Sequence, residues 1–339
     1  QQFLVSQPYR HVMYGSDLLL IATKWTVEEK MEALTQVTRD GLVEFSKKLL
    51  SSFHMEVLVH GNMLPEEANR LADIVLNALN PSAPDSLPVK KVIELEAGTG
   101  DYVYRFDEFN PQNTNSCVSN IYVVGPMEIQ SNAMIALIHH LIQEPAFHEL
   151  RTEQQLGYTV FSSVHTAGDH VKGIALLVQS DGYNPIYLND RMEEFVHNYF
   201  ETLSKMSDEA FRTQVDAVVQ RFREKNKNMN EETVKYWEAI TKRHYLFTKY
   251  AQIADIVETI SKEQAVEFYK TYLLKGAKRT KVSVQVVAKN HMDELKTSEN
   301  EGEIVLITNA PKFKGTKSCF PTPEDVDVSK WNIQNFVTP

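Results

Sequence analysis

Histidine and carboxylate side chains are the first candidates for chemistry in this sequence, because they bind transition metals and transfer protons. The chain of 339 residues contains 11 histidines. His140, Glu144 and His148 are spaced four residues apart, so an unbroken helix would place them on one face. Pro145 interrupts this segment, and we therefore predict that the helix breaks and that the three side chains do not meet at a metal. The histidines are interpreted as surface or partly buried residues.

Signatures of a complete active site are missing from the sequence. It contains neither His-Glu-x-x-His nor its inverse His-x-x-Glu-His, and neither a Gly-x-Ser-x-Gly nucleophile turn nor a phosphate-binding glycine loop. The net charge of −10, from 35 Lys and Arg against 45 Asp and Glu, argues against nucleic acid or a membrane surface as a partner. The two cysteines, Cys117 and Cys319, cannot form a disulfide framework, so we expect a reducing, cytoplasmic setting.

The elements around these residues suggest two domains, which we place at 1–88 and 89–339. Three prolines between 81 and 88 predict a stiff linker after a helix over 65–79. An internal repeat supports the division, because Val-Glu-Phe-Ser-Lys at 43–47 returns as Val-Glu-Phe-Tyr-Lys at 266–270. Each copy is predicted to be a helix followed by a strand, at 55–59 and at 281–286. The first domain would then lack its N-terminal half, as if the chain were a piece of a longer protein.

The second domain mixes strand and helix patterns without strict alternation. Period-two patterns predict strands over 102–106 and 121–124 and a hairpin of 159–164 with 173–179. A helix is expected from an N-cap at Ser131 to about 143, then a short second helix that ends at Gly157. Three or four further helices fill 185–274, with Ser207 and Ser261 as caps. The predicted fold class is α+β: two homologous domains of mixed β-sheet packed against helices, an αβ sandwich, the first one incomplete.

The segment from Glu144 to Tyr158 contains Leu-Arg-Thr, three further residues and then Leu-Gly-Tyr. It closely resembles the corresponding segment of the insulysin and pitrilysin family of inverted-motif zinc metallopeptidases. The resemblance extends to about residue 290 and weakens over the final fifty residues. Further matches occur in the same order along the chain: Leu58-Val59-His60-Gly61-Asn62, Lys235-Tyr236-Trp237, Tyr245-Leu246-Phe247, Val266-Glu267-Phe268-Tyr269 and Val282-Ser283-Val284-Gln285-Val286.

The resemblance implies an architecture of four homologous αβ domains in two halves that close around a peptide. Residues 1–88 would be the second half of the third domain, and residues 89–339 the fourth. The zinc motif of the family lies in the first domain, so zinc would belong to the full-length enzyme with its ligands outside this chain, and the chain alone would be inactive. The implied partners are peptide substrates, the N-terminal half of the same enzyme and a second copy in a homodimer, with no nucleic acid and no membrane.

The resemblance also implies roles for individual residues. Arg151 and Tyr158 would be catalytic, reaching the negative charge that develops on the carbonyl oxygen of the attacked peptide bond. Phe147 and Thr152 would contact the substrate. In relatives, a lysine-rich stretch binds anions, and only Lys225 and Lys227 match it here.

Other interpretations remain open for these residues and for the whole chain. Arg151 could be a solvated helix residue, since no acidic residue lies three or four positions away. Tyr158 and Phe147 could be core residues. The parent protein could be an inactive relative that binds peptides or serves as a scaffold, although the presence of Arg151 and Tyr158 favours a peptidase.

Overall fold

The computed structural model describes residues 2–295 and 304–322, which form two compact units. The first unit contains the described residues up to Thr23 together with Lys91–Glu224 and Thr248–Thr322. The second contains Lys24–Lys90 and Lys225–Phe247. The predicted division at residue 88 lies near one of these junctions, but the spatial units are discontinuous along the chain. The assignment of 1–88 and 89–339 to two homologous family domains stays a prediction.

A six-stranded mixed sheet forms the centre of the first unit, in the order β3-β4-β2-β5-β1-β6. β1 runs parallel to β5 and β6, whereas the pairs β3–β4, β4–β2 and β2–β5 are antiparallel. The strands predicted over 102–106, 121–124 and 281–286 and the hairpin of 159–164 with 173–179 are therefore confirmed, as is the α+β class. The strands are β1 (Asp101–Asp107), β2 (Ser116–Pro126), β3 (Thr159–Ala167), β4 (Val171–Ser180), β5 (Thr280–Val287) and β6 (Ile304–Ile307).

Both faces of the sheet are covered, which places the core in two layers. Along β4, Leu176 and Val178 belong to one apolar cluster while Ala175 and Leu177 belong to the other, because successive side chains of a strand point to opposite faces. The first cluster packs under the helices that follow β2, and the second packs under the N-terminal helix. All eight residues of β5 are buried, as expected of a central strand between two layers.

The helices confirm most of the expected segments and correct some boundaries. Ser207 and Ser261 are N-caps, but five helices rather than three or four occupy 185–274. The helix predicted to start after Ser131 begins at Ile129, and its N-cap Glu128 makes no side-chain capping bond. No helix of the described chain is long and apolar enough to cross a membrane. The helices are α1 (Pro8–Leu20), α2 (Val27–Leu34), α3 (Arg39–Ser51), α4 (Pro65–Leu79), α5 (Ile129–Phe147), α6 (Pro185–Lys205), α7 (Asp208–Arg223), α8 (Met229–Thr241), α9 (Lys249–Thr259), α10 (Lys262–Tyr272), α11 (Met292–Leu295) and α12 (Ala310–Lys314).

The break predicted at Pro145 does not occur, because α5 continues through this proline to Phe147. A proline inside a helix cannot donate to the carbonyl four residues earlier, which here belongs to Leu141. The hydroxyl of Tyr199 on α6 donates to that carbonyl at 2.6 Å in a buried position. The tertiary contact therefore supplies the hydrogen bond that the proline removes.

Helix α6 is fixed to the sheet by a buried ionic network. Lys281 of β5 is fully buried, and its ammonium donates to Asp101 at 2.9 Å and lies 3.1 Å from Glu193 of α6. Arg279 pairs with both carboxylates, and the Tyr122 hydroxyl donates to Glu193 at 2.6 Å. Burial alone would raise the pKa of Glu193, but the neighbouring Lys281 and Arg279 hold it at about 2. The carboxylate is thus charged and fully paired, as a buried charge must be.

The second unit contains α2, α3, α4 and α8. Helices α2 and α3 have side-chain N-caps at Thr26 and Thr38, yet α2, α3 and α4 bury none of their residues. Large apolar side chains such as Phe45 and Ile74 are more than half exposed. The strand predicted over 55–59 is absent, so this prediction was wrong. Ser52 forms an isolated bridge, but residues 53–60 have no strand partner among the described residues. A strand needs such a partner to satisfy its backbone.

Candidate functional site

The segment that contains Arg151 has an unusual backbone. Helix α5 passes directly into a π-helix at His148–Glu153. The wide turn is closed by two backbone bonds, from the Gln154 N–H to the Glu149 carbonyl at 2.9 Å and from the Leu156 N–H to the Leu150 carbonyl at 3.0 Å. Turns of this type occur frequently at functional sites. We call residues 148–156 the π turn.

The short helix ends at Glu153 rather than at the predicted Gly157. Gln155 has φ +52°, in the left-handed region that reverses the chain after a helix. Gly157 has a different role, because a Cβ at this position would lie 2.0 Å from the carbonyl oxygen of Gln179 at the end of β4. Only glycine allows the chain to pass so close to β4, and this passage brings Tyr158 to the start of β3.

Arg151 lies between two aromatic rings. The central carbon of its guanidinium group is 4.8 Å from the centroid of the Phe147 ring and 4.6 Å from that of Tyr158. Each such cation–π contact contributes about 0.5–1 kcal/mol at an exposed site. Of the four site residues predicted in this segment, the structure thus brings Phe147, Arg151 and Tyr158 into direct contact. Thr152 is exposed on the same turn.

Exposure excludes the core interpretation of the aromatic residues. Tyr158 is 85% exposed and Phe147 is 40% exposed, although both are large hydrophobic side chains. Arg151 is not simply solvated either, since two rings hold its guanidinium group. These three residues therefore form a preorganised surface patch, which we call the Arg151 stack.

The chemistry of the Arg151 stack is that of hydrogen-bond donation to an anion. Arginine keeps its charge at all working pH values and carries five donors, while tyrosine is a neutral donor near pH 7. Within the described part of the chain, no carboxylate forms an ion pair with Arg151, so its charge is not neutralised locally. A positive group beside an exposed hydroxyl can stabilise a carboxylate or a developing oxyanion.

The two acidic residues of the π turn, Glu149 and Glu153, make contacts with residues other than Arg151. Glu153 pairs with His148 at 3.2 Å. The pKa of Glu149 is raised above its ordinary value by burial and then by the neighbouring charge of Glu153, although the hydrogen bond from Gln154 opposes this shift. The Gln154 amide donates to Glu149 at 3.1 Å and accepts from the Arg191 side chain of α6 at 2.9 Å. Sequence reasoning did not find Gln154 or Arg191, because the second contact joins residues 37 positions apart.

The predicted anion-binding lysines are exposed but belong to a different unit. Lys225 and Lys227 lie at the start of the 225–247 segment of the second unit. Their neighbour in sequence, Arg223, belongs to the first unit and pairs with Asp255 at 2.8 Å and Glu258 at 2.6 Å. The positive charge that precedes the two lysines in the sequence is therefore neutralised by carboxylates.

The histidines near the site are engaged individually. His139 contacts the Ser162 hydroxyl at 3.2 Å, and His140 contacts the Gln214 side chain at 3.1 Å. Burial, followed by the charge of Arg221, lowers the pKa of His140, and burial is also the main cause of the lowered pKa of His139. Among the described residues, no group of three potential ligands could hold a metal ion.

Comparisons with known proteins identify the class of this fold. The family described as "PQQ synthase PqqF-like, C-terminal lobe domain 4" matches residues 137–237, which include the π turn. The crystal structure of pitrilysin superposes with a TM-score of 0.80 over 94% of this chain and 33% of pitrilysin, at 18% sequence identity. This likeness is one of fold: the chain has the architecture of a peptidase C-terminal lobe.

Sequence relatives then define the family. Insulin-degrading enzyme of Homo sapiens is 33% identical over 294 residues, which are 85% of this chain and 28% of that protein. Insulin-degrading enzyme of Drosophila melanogaster is 30% identical over 338 residues, 95% of this chain and 33% of that protein. The chain belongs to the insulysin and pitrilysin (M16) family of metallopeptidases, in its C-terminal half region. It spans about a third of the length of these relatives.

Proposed function

We propose that this chain is the non-zinc half of a zinc metalloendopeptidase that degrades small peptides in a closed chamber. The observation that carries the proposal is the Arg151 stack, in which a guanidinium group held by two rings and an exposed tyrosine hydroxyl are fixed side by side. The relatives named insulin-degrading enzyme support a peptide as the substrate. The site of action is proposed to be the cytoplasm, and assembly as a homodimer is compatible with the proposal.

In this mechanism the chain contributes binding and charge stabilisation. When zinc is bound by the N-terminal half, it supplies an activated water and polarises the peptide carbonyl. Tyr158 would donate a hydrogen bond to the carbonyl oxygen as negative charge develops, and Arg151 would add a fixed positive charge. Phe147 and Thr152, exposed on the same segment, would contact the substrate side chains. No zinc ligand is assigned to this chain.

Complementation tests the proposal. We expect the chain alone to cleave no fluorogenic peptide and to retain no stoichiometric zinc after dialysis. Addition of a matching N-terminal half that carries His-x-x-Glu-His should produce cleavage that depends on the concentration of both pieces. If the two halves associate and still cleave no unstructured peptide, the inactive peptide-binding relative becomes the better description.

A further inference from the structure

The Arg151 stack depends on a backbone that regular helical bonds do not hold. Arg151 lies inside the π turn, and Tyr158 follows it after the left-handed Gln155. Residues in such sparsely populated conformations persist only where the surrounding structure fixes them. Contacts outside the helix must therefore keep the turn wide.

Gln154 links both ends of the π turn through two parallel contacts. Its backbone N–H donates to the Glu149 carbonyl at 2.9 Å, and its side-chain Nε2 donates to Glu149 Oε1 at 3.1 Å. The remaining polar atom of the amide, Oε1, accepts from Arg191 Nε at 2.9 Å. Both functional atoms of the Gln154 side chain are thus used, in a half-buried position where lost hydrogen bonds are costly.

Arg191 connects this contact to the rigid part of the unit. It lies on α6, two residues before Glu193, whose carboxylate is fixed to the sheet by Arg279 and Lys281. Arg191 also pairs with Glu194 on its own helix, so its guanidinium group is oriented from both sides. Because α6 is fixed to the sheet, Arg191 holds the Gln154 side chain at a defined position relative to the sheet.

We propose that Gln154 and Arg191 are positioning residues. They hold the π turn in the conformation that places Arg151 between Phe147 and Tyr158. They touch no substrate and act through the backbone of residues 149–156. The catalytic part of this inference rests on the proposed peptidase function, whereas the structural part does not.

Substitutions that move the negative charge between positions 149 and 154 test the structural part in the chain alone, without an N-terminal half. Gln154→Glu keeps the contact with Arg191 but sets two carboxylates against each other, which is unfavourable at short range. In the double variant Glu149→Gln/Gln154→Glu, the amide at position 149 can donate to the carboxylate at position 154, so the hydrogen bond is restored with donor and acceptor exchanged. Gln143→Glu, at an exposed glutamine of α5, is the matched control.

Hydrogen–deuterium exchange of the segment 148–158 is the first measurement. We expect several-fold faster exchange of the Gln154 and Leu156 amides in Gln154→Glu, recovery in the double variant and no change in Gln143→Glu. Exchange in Gln154→Glu that equals the wild type would overturn the positioning role, whether or not any peptide is cleaved.

Steady-state kinetics on the reconstituted halves is the second measurement. Gln154→Glu should lower kcat by up to about 100-fold with a smaller change in KM, because a small displacement of a catalytic group acts mainly on the reacting geometry. The double variant should regain most of the loss. Faster exchange with unchanged kcat would refute a catalytic consequence, and an inactive wild type would refute the proposed function while the exchange result still decides the structural part.

Discussion

At the scale of single residues, the Arg151 stack explains how a half-buried arginine lies beside an exposed tyrosine without an acidic partner in the described chain. The rings of Phe147 and Tyr158 hold the guanidinium group at 4.8 Å and 4.6 Å and leave its hydrogen-bond donors available. Two aromatic rings hold a cation in place and leave its charge intact, whereas a carboxylate would hold it in place and neutralise its charge. The stack is therefore suited to an anion that arrives with the substrate.

Conservative substitutions in the stack separate catalysis from packing. Tyr158→Phe keeps the ring over Arg151 and removes one hydroxyl, so it should lower kcat by about 10²–10³ if that hydroxyl donates to the oxyanion. Arg151→Lys keeps the charge but loses the planar set of donors, and should also lower kcat more than it raises KM. Tyr158→Phe should not move the melting temperature, because the ring stays and the side chain is 85% exposed. Arg151→Lys should change the melting temperature little, because a cation remains between the two rings.

The measurements are kinetics on reconstituted enzyme and thermal melts of each variant. Wild-type kcat in both variants would remove the residues from the catalytic set. A large fall in melting temperature would instead return them to a structural role.

At the scale of the elements, two close contacts decide where the stack lies. The first is the passage of Gly157 over the end of β4. Gly157→Ala would place a Cβ 2.0 Å from the Gln179 carbonyl oxygen, and the required backbone shift should cost about 1–3 kcal/mol or more. Gly182→Ala is the matched control, since no atom lies within 4 Å of its Cβ position, and it should change stability by less than about 0.5 kcal/mol.

Chemical denaturation of both glycine variants provides the comparison. Equal stability of the two would mean that the close approach at Gly157 is relieved at no cost. The expected difference would also appear in activity, because Tyr158 directly follows the displaced residue.

The second contact is the hydroxyl of Tyr199, which replaces the helical bond that Pro145 removes. Burial raises the pKa of Tyr199 to about 12, so the hydroxyl stays a neutral donor. Tyr199→Phe leaves the Leu141 carbonyl buried without a partner, which should cost about 1–3 kcal/mol. In a Pro145→Ala background the cost should be smaller, because the backbone N–H that alanine brings to this position can donate to the same carbonyl. Equal losses in both backgrounds, measured by urea unfolding, would contradict this explanation.

At the scale of the whole molecule, a buried ion pair ties the N-terminal segment to the sheet of the first unit. His11 of α1 contacts Glu108 through Nδ1 at 3.0 Å and the Phe3 carbonyl through Nε2 at 2.8 Å. Both partners are acceptors, so the protonated imidazolium fits best. Burial by itself would lower the pKa of His11, but the hydrogen bonds to Glu108 and Phe3 raise it above its ordinary value.

This pair predicts a specific pH dependence of folding. A histidine with a raised pKa in the folded state contributes stability that is fully present below its unfolded pKa of about 6.5, and the contribution is lost as pH rises through the folded pKa. The free energy of unfolding should therefore fall as the pH increases above about 6.5, and His11→Gln should flatten this part of the profile. His197→Gln, at an exposed histidine of α6, is the control. Parallel profiles for wild type and His11→Gln would exclude the pair as a source of the dependence.

Much of this protein follows from its sequence alone. Local residue patterns and turn residues predicted five of the six strands of the central sheet, all except β6, because runs rich in β-branched and aromatic residues between turn residues favour strands. Ser207 and Ser261 were predicted as caps, since capping depends on residues close in sequence. The Leu-Arg-Thr and Leu-Gly-Tyr spacing indicated the family and named Arg151 and Tyr158 as candidates.

Only the tertiary structure decided the rest, because the deciding contacts join residues far apart in the chain. Pro145 does not end α5 because Tyr199, 54 positions later in the sequence, donates to the carbonyl it leaves free. Gly157 is required by the backbone of Gln179 rather than by the helix it follows. The strand predicted over 55–59 does not form, because alternation cannot create the neighbouring strand that its backbone needs. Local patterns determine which conformations a segment prefers, and long-range contacts determine which of them the folded chain keeps.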